Sequence, residues 1–232
     1  MAFNFEQEDF VLSLSITSPV LFTIPHEGLR AHEIGTYFRP RPHGICGTER
    51  YLSAIANDVN TPRVLTSVVR GLLPRALCDY NRPLTGVSDP AYADERLGKA
   101  YDAYHRKIRH HIQRLSASYK EVILVDLHGF NEERSGIHED VVLGVHDSPL
   151  SLALAEKCAL ALSVRGFSVR IAKGSEKFSG GFTVRRYAAR GVAANLTTTL
   201  QIEISSRFRQ DTSLQEGRHL ANTLRFFVQA LL

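Results

Sequence analysis

The sequence predicts an α/β fold, a single domain with a mixed central sheet flanked by helices. Short apolar runs typical of buried strands alternate along the chain with longer stretches of helical periodicity. No internal repeat, low-complexity tract or linker divides the 232 residues, so we expect one domain over residues 1–232. With 44% hydrophobic and 22% charged residues the chain can bury one sizeable core, which argues against disordered, fibrous and membrane-spanning classes.

The N-terminal half begins with a strand at residues 19–24, PVLFTI, a nearly continuous apolar run that stops at Pro25. Residues 29–47 are rich in Gly, Pro, His and Arg without a period, so we expect an irregular loop. Thr48 has the character of a helix N-cap, which would put Glu49 in the first helical turn. A second strand is expected at residues 64–69.

The longest helical pattern covers residues 91–119, where apolar residues recur three or four apart. It is followed by EVILVDL at residues 121–127, a central-strand candidate that we expect to feed a loop beginning at His128. The remaining elements are a helix at 149–164, a strand at 167–172, a glycine-rich turn at 173–181, a short helix through 190, a strand at 198–204 and a helix at 214–232.

Charge and cysteine usage favour a cytoplasmic protein with a small-molecule substrate. The net charge is +4, but the densest basic run, residues 105–111, lies inside the long helical pattern without a nucleic-acid motif. No apolar stretch is long enough for a membrane span, the first ten residues lack the basic start of a secretory signal, and the three cysteines form no CxxC pair. We therefore expect neither a nucleic-acid nor a membrane partner, and the oligomeric state stays open.

Ionisable groups stand at three predicted strand ends: His26, His128 and Glu203. Strand ends line the ligand crevice of open α/β sheets, and a zinc hydrolase needs three nitrogen or oxygen ligands and a nearby carboxylate. Glu49 is a candidate third ligand. Taken alone, a histidine at a strand end is more often a hydrogen-bonded structural residue than a metal ligand. Glu203 lies in an apolar strand, so its charge requires either an arginine partner or a water held by a metal.

Five ordered motifs make the chain resemble the N-formylglutamate amidohydrolase family, which is similar to the zinc-carboxypeptidase fold. They span about residues 19 to 204, and Glu27 departs from the family's more frequent serine. The motifs are Pro25-His26-Glu27-Gly28, Arg75 with Asp79-Tyr80-Asn81-Arg82-Pro83, Asp126-Leu127-His128-Gly129, Gly180-Gly181-Phe182-Thr183, and Leu200-Gln201-Ile202-Glu203-Ile204.

The resemblance implies a centre with one Zn²⁺ ion held by His26, Glu49 and His128. It also implies that Glu203 is the catalytic carboxylate, taking a proton from water and returning it to the leaving amine. Arg75 matches an arginine that stabilises the oxyanion of the tetrahedral intermediate. For Arg75, a structural ion pair is the alternative.

Substrate-binding residues follow from the same resemblance. Arg82 matches the position that binds a substrate carboxylate in the wider fold, and Asn81 would assist it. Gly180 and Gly181 would let backbone amides approach the substrate, and Arg185 or Arg186 would reach a second acidic group, the sequence leaving open which. Asp126 either orients a histidine ligand or forms a simple salt bridge.

The function that these residues predict is a zinc-dependent amidohydrolase acting on an N-acyl amino acid, with N-formylglutamate as the leading candidate. A zinc carboxypeptidase or γ-glutamyl hydrolase would use the same centre on a longer chain. From another class, a non-catalytic protein that binds acidic ligands or nucleic acid remains an alternative, against which the set of His26, His128 and Glu203 argues.

Overall fold

A computed structural model of the chain describes residues 11–14, 18–28, 51–60, 64–84, 90–188, 196–209 and 214–232. The predicted loop at 29–47 and the predicted ligand Glu49 lie outside these residues. Among the described helices, none combines the length and apolarity that crossing a bilayer requires.

Within the described residues, seven strands form one mixed sheet in the order β1-β3-β2-β4-β7-β5-β6. Strands β2, β3, β4 and β7 run parallel, β1 pairs antiparallel with β3, and β5 pairs antiparallel with β7 and parallel with β6. The strands are β1 Val11–Leu14, β2 Val20–Ile24, β3 Ser67–Gly71, β4 Glu121–Phe130, β5 Val141–Gly144, β6 Val169–Ala172 and β7 Leu196–Ser205. The α/β class and the mixed sheet predicted from the sequence are therefore confirmed.

Helices cover both faces of the sheet. They are α1 Leu52–Val59, α2 Gly98–Ser116, α3 Glu132–Ser135, α4 Pro149–Ser163, α5 Phe182–Tyr187 and α6 Leu214–Gln229, with short 3₁₀ helices at Glu95–Leu97 and Ser206–Phe208. Ser148 caps α4 by accepting from the Ser151 amide, and Pro149 occupies its first turn, as the N-terminal helix preferences require.

Alternation along the central strands divides the core into two layers. Val125 and Leu127 of β4 point into a layer with α1, α4 and α6. Val122 and Leu124 point to the opposite face and pack with the aromatic side of α2. Asp126 and His128 continue this second face toward the end of β4, so the polar site begins where the α2-side core ends.

Two element boundaries differ from the sequence prediction for identifiable reasons, and two strands were missed. The prediction that His128 begins a loop was wrong, because the β4–β7 ladder continues to Phe130, paired with Ser205. The long helix begins at Gly98 rather than residue 91, since Asp94 caps a 3₁₀ turn just before it. The sequence prediction also missed the four-residue strands β1 and β5.

Candidate active site

His26 follows β2 and is completely buried. Its Nε2 lies 2.7 Å from Asp79 Oδ1, so the imidazole donates a hydrogen bond to a carboxylate that is itself 1% exposed. A carboxylate acceptor fixes both the tautomer and the ring orientation of a histidine.

His128 repeats this arrangement on β4. Its Nε2 lies 2.9 Å from Asp126 Oδ2, and the Thr23 hydroxyl of β2 donates to the other carboxylate oxygen over 2.6 Å. The two imidazole rings stand edge to face with centroids 5.0 Å apart. Two histidines that the sequence separates by about a hundred residues are thus neighbours, each anchored by its own aspartate.

Asp79 connects the histidine pair to the arginines. Its Oδ1 accepts a hydrogen bond from His26 and another, over 3.1 Å, from the backbone N–H of Asn81. Its Oδ2 lies 3.2 Å from Arg75 Nε and 3.4 Å from Arg82 Nε. A buried carboxylate requires such compensation, because an unpaired charge in the interior is costly. One side chain therefore holds both a histidine and two guanidinium groups in place.

Glu203 lies on β7 directly beside His128 and is 5% exposed. Gln201, two residues earlier on the same strand face, donates its Nε2 to Glu203 Oε1 over 2.7 Å. Gln201 Oε1, the side-chain carbonyl oxygen, in turn accepts a hydrogen bond from the backbone N–H of Gly181 at the start of α5. This chain of hydrogen bonds ties the orientation of the carboxylate to the glycine-rich turn.

One cleft of about 410 Å³ is lined by His128, Glu203 and the glycines Gly180 and Gly181. Its polar lining carries two guanidinium groups, Arg75 and Arg185, and two carboxylates, Glu176 and Glu203. The remaining lining residues are Asn81, Gly174, Ser175, Phe178, Ser179, Phe182 and Gln201. A cleft of this size can hold a small molecule.

Two glycines allow the turn to close over the sheet. A side chain on Gly144 of β5 would collide with the backbone of Phe178 and Gly180. A side chain on Gly181 would collide with the side-chain amide of Asn81. Asn81 Oδ1 accepts from the Thr183 amide over 2.7 Å. The turn and the Asn81 segment thus contact each other directly, with Asn81 Nδ2 lying 3.0 Å from His128 Nε2.

The model of the N-formylglutamate amidohydrolase family matches residues 85–208. The chain belongs to the N-formylglutamate amidohydrolase family. The matched segment contains His128, Glu203 and the glycine-rich turn, whereas His26 and the Arg75–Arg82 region lie before it. Among curated proteins, no sequence matches the chain.

Solved structures share the fold of this amidohydrolase family member at low sequence identity. N-formylglutamate amidohydrolase from Ralstonia eutropha JMP134 matches with a TM-score of 0.71 at 17% identity over 97% of each chain. The gene product Atu2144 from Agrobacterium tumefaciens matches with a TM-score of 0.72 at 17% identity, covering 97% of this chain and 96% of that one. A zinc-free form of YNDL matches with a TM-score of 0.51 at 15% identity over 97% and 93%.

Most of the residues predicted for the site meet in this family member. His26, Arg75, Asn81, His128, Gly180, Gly181, Arg185 and Glu203 lie in or against the cleft. Arg82 is outside the described cleft lining and turns toward Asp79. Arg186 stacks on the Phe182 and Tyr187 rings, at 5.3 and 5.9 Å from their centroids, so Arg185 is the arginine of this pair that reaches the cleft.

The third predicted metal ligand, Glu49, lies outside the described residues. Within the part of the chain that the structure covers, no three His, Cys, Asp or Glu side chains form a metal site on their own. His26 and His128 are the pair that could hold a metal together with a ligand from another segment.

Three supporting residues were given no role by the sequence analysis: Asp79, Gln201 and Thr23. Asp79 had a signal, since a carboxylate opens the Asp-Tyr-Asn-Arg motif immediately after an apolar stretch. Gln201 stands two residues before Glu203 and so shares its strand face, which a period-two reading could have revealed. Thr23 has no such signal, because only the β2–β4 register brings it to Asp126.

Proposed function

We propose that the protein is a zinc-dependent amidohydrolase that cleaves the amide bond of an N-acyl amino acid, with N-formylglutamate as the leading candidate. Membership in an amidohydrolase family supports the reaction class. The observation that carries the proposal is a pair of aspartate-anchored histidines beside the buried Glu203, in a cleft that holds Arg75 and Arg185.

Two histidines and one acidic residue would hold one zinc ion. An imidazole within hydrogen-bond distance of a carboxylate is typical of zinc-ligating histidines, and His26 and His128, each beside its own aspartate, would bind the metal. Glu49 would complete the set. A zinc ion held there would supply Lewis-acid activation of a water and of the scissile carbonyl.

Glu203 is the general base and acid of the proposal. It takes a proton from the attacking water and delivers it to the nitrogen of the leaving amine, so no covalent intermediate forms. The hydrogen bond from Gln201 to Oε1 keeps the carboxylate oriented during both transfers. Its 5% exposure keeps bulk water from competing for the proton.

In the proposal, each arginine binds a different negatively charged group of the reacting substrate. Arg75, held by Asp79 and lining the cleft, would stabilise the oxyanion that develops on the carbonyl oxygen. Asn81 and Arg82 would hold one substrate carboxylate and Arg185 a second, because a guanidinium pairs with a carboxylate through two parallel hydrogen bonds. The backbone at Gly180 and Gly181, which lines the same cleft, would contact the substrate as well.

The test is the Glu203→Gln variant, assayed for zinc content and for hydrolysis of N-formyl-L-glutamate. Loss of the proton acceptor should lower kcat about 10²- to 10⁴-fold while bound zinc is retained. Glu121→Gln, at the opposite end of the same sheet, is the matched control and should keep both zinc and turnover.

Full turnover by Glu203→Gln would overturn the mechanism. Assaying N-acetyl-L-glutamate, short peptides and γ-glutamyl chains alongside separates an acyl amino acid hydrolase from a carboxypeptidase or a γ-glutamyl hydrolase. A wild-type protein loaded with zinc that hydrolyses none of these amides would overturn the proposed function as a whole.

A further inference from the structure

The aromatic face of α2 lies directly beneath the segment from Asp79 to Arg82. His105 and Tyr101 are one turn apart on this face and both are 1% exposed. His105 Nε2 lies 3.0 Å from the Tyr80 carbonyl oxygen, and the Tyr101 hydroxyl donates to the Arg82 carbonyl oxygen over 2.7 Å. The two bonded carbonyls flank Asn81, so α2 fixes the backbone on both sides of that residue.

The other nitrogen of His105 faces α5. Its Nδ1 lies 2.9 Å from the Tyr187 hydroxyl, and the imidazole also meets the Phe182 ring edge to face at 5.7 Å. Phe182 and Tyr187 are the first and last residues of α5. A single imidazole therefore contacts both ends of the helix that carries Arg185.

The partners determine the tautomer of this histidine. A carbonyl oxygen only accepts, so Nε2 carries the proton and donates to Tyr80, which leaves Nδ1 as an acceptor facing the Tyr187 hydroxyl. The same hydroxyl also lies 3.2 Å from the backbone carbonyl oxygen of His105, so it has two acceptors on this residue. Burial, with smaller effects from Arg186 and Arg109, lowers the pKa of His105 to about 3 against the weaker opposing effect of the Tyr80 hydrogen bond. The imidazole is therefore neutral at pH 7, the state that this one-donor, one-acceptor arrangement needs.

We infer that His105 is a positioning residue for substrate binding, joining the Asn81–Arg82 segment to α5 and so setting the distance between the two carboxylate-binding groups. This inference rests on the proposed function, because it takes Asn81, Arg82 and Arg185 as the groups that bind the substrate. His105 itself lies under these elements and lines no part of the described cleft.

The contacts between the two joined elements support a shared role. Asn81 accepts from the Thr183 amide of α5, so the segment and the helix also meet above the imidazole. If His105 is removed, this hydrogen bond is the main described polar link left between them, and each element can shift separately. The expected consequence is weaker binding of a substrate carboxylate with little change in the chemical step at Glu203.

The experiment compares His105→Phe with His111→Phe in the full-length, zinc-loaded protein. His111 is a matched control because it is a second buried histidine on α2, bonded to Ser13 rather than to the site. For N-formyl-L-glutamate, His105→Phe should raise KM about tenfold or more with kcat within about threefold of wild type, the loss expected for a displaced charge-assisted hydrogen bond. His111→Phe should leave KM unchanged even where its melting temperature falls equally.

A second substrate distinguishes a positioning role of His105 in carboxylate binding from a general structural effect of its substitution. With the α-amide of N-formyl-L-glutamate, which lacks one carboxylate, the KM of His105→Phe should lie much closer to the wild-type KM. Tyr187→Phe, which removes only the hydroxyl, should show a smaller rise in the KM for N-formyl-L-glutamate and keeps the test open if His105→Phe does not fold.

Unchanged KM values in both His105→Phe and Tyr187→Phe, with active wild-type protein, would overturn the positioning role alone. A proportional loss of kcat on both substrates would do the same, since it would indicate a merely structural effect. Absence of turnover in zinc-loaded wild type would instead contradict the proposed function, so the two failures are distinguishable.

Discussion

His128 and Glu203 lie directly opposite each other in the parallel ladder between β4 and β7. Two residues earlier, Asp126 and Gln201 are opposite each other in the same way, and all four side chains project from the same face. Neighbouring strands are about 4.8 Å apart, so backbone hydrogen bonding sets the separation between the histidine and the carboxylate. The central part of the site therefore lies on the paired central strands β4 and β7 of the sheet.

The first prediction concerns the metal. Protein purified without added metal or chelator should contain about one equivalent of zinc, and His128→Ala should contain almost none, because removing one of the three proposed ligands should abolish tight binding. Elemental analysis measures this directly. His111→Ala, a buried histidine on α2 away from the site, should retain zinc. Wild-type protein that neither contains zinc nor takes it up when zinc is added would contradict the prediction.

A second prediction concerns the aspartate that holds His26. Asp79→Asn removes the charge that compensates Arg75 and Arg82 and weakens the acceptor for His26. Zinc affinity, measured by competition with a chromophoric chelator, should fall about 10- to 100-fold.

Asp94→Asn is the matched control for Asp79→Asn. Asp94 also binds an arginine, Arg96, whose hydrogen bonds lower the pKa of Asp94 to about 2, but it does so on an exposed turn. Its replacement should leave zinc affinity unchanged. If Asp79→Asn binds zinc as tightly as wild type, Asp79 does not support the metal centre.

Much of this site could be predicted because its residues stand in local patterns. β2 and β4 are apolar runs whose ends carry His26 and His128, and Glu203 stands out as a charge in an apolar strand. These patterns are short-range, so periodicity and motif order reveal them. The α/β class followed from the same alternation.

The partners of these residues could not be predicted in the same way. Pairing of Asp79 with His26 and of Thr23 with Asp126 depends on strand order and register, which the sequence does not state locally. The sequence also left Arg185 and Arg186 equivalent. Only the packing of α5 separates them, because it stacks Arg186 on aromatic rings and leaves Arg185 at the cleft.

A third prediction tests the close contact between β5 and the glycine-rich turn. Gly144→Ala places a methyl group against the backbone of Phe178 and Gly180, so the turn must move away from the sheet. Overpacking of this kind should cost about 1–3 kcal/mol in the free energy of unfolding and lower kcat/KM. Denaturant unfolding and steady-state kinetics measure the two effects.

The control for Gly144→Ala is Gly166→Ala, which is far from the cleft. Gly166 has a φ of 88° and open space around it, so alanine there adds backbone strain without a collision. It should lower stability but leave kcat/KM unchanged. Equal kinetic effects of the two substitutions would show that the turn does not depend on the absence of a side chain at Gly144.

The last prediction is a loss of stability in mild acid caused by the two buried histidines of α2. Burial, with smaller contributions from neighbouring cationic groups, lowers the pKa of His105 to about 3 and that of His111 to about 4, from 6.5 in the unfolded chain. Below pH 6.5 the unfolded chain therefore binds protons that the folded chain does not. The stabilisation is complete above pH 6.5 and decreases as the pH falls toward 4.

Each proton of this kind contributes a slope of up to about 1.4 kcal/mol per pH unit to the free energy of unfolding. His111→Gln should remove one such contribution, whereas Ser13→Ala, which removes only the hydrogen-bond partner of His111, should keep most of it. Urea unfolding between pH 4.5 and 7.5, on chelator-treated protein so that metal release does not add to the slope, measures the difference. Identical slopes of the free energy of unfolding against pH for wild type and His111→Gln would contradict the prediction. His111 would then accept its proton in the folded protein as readily as in the unfolded chain, and its burial on α2 would not contribute to the acid sensitivity.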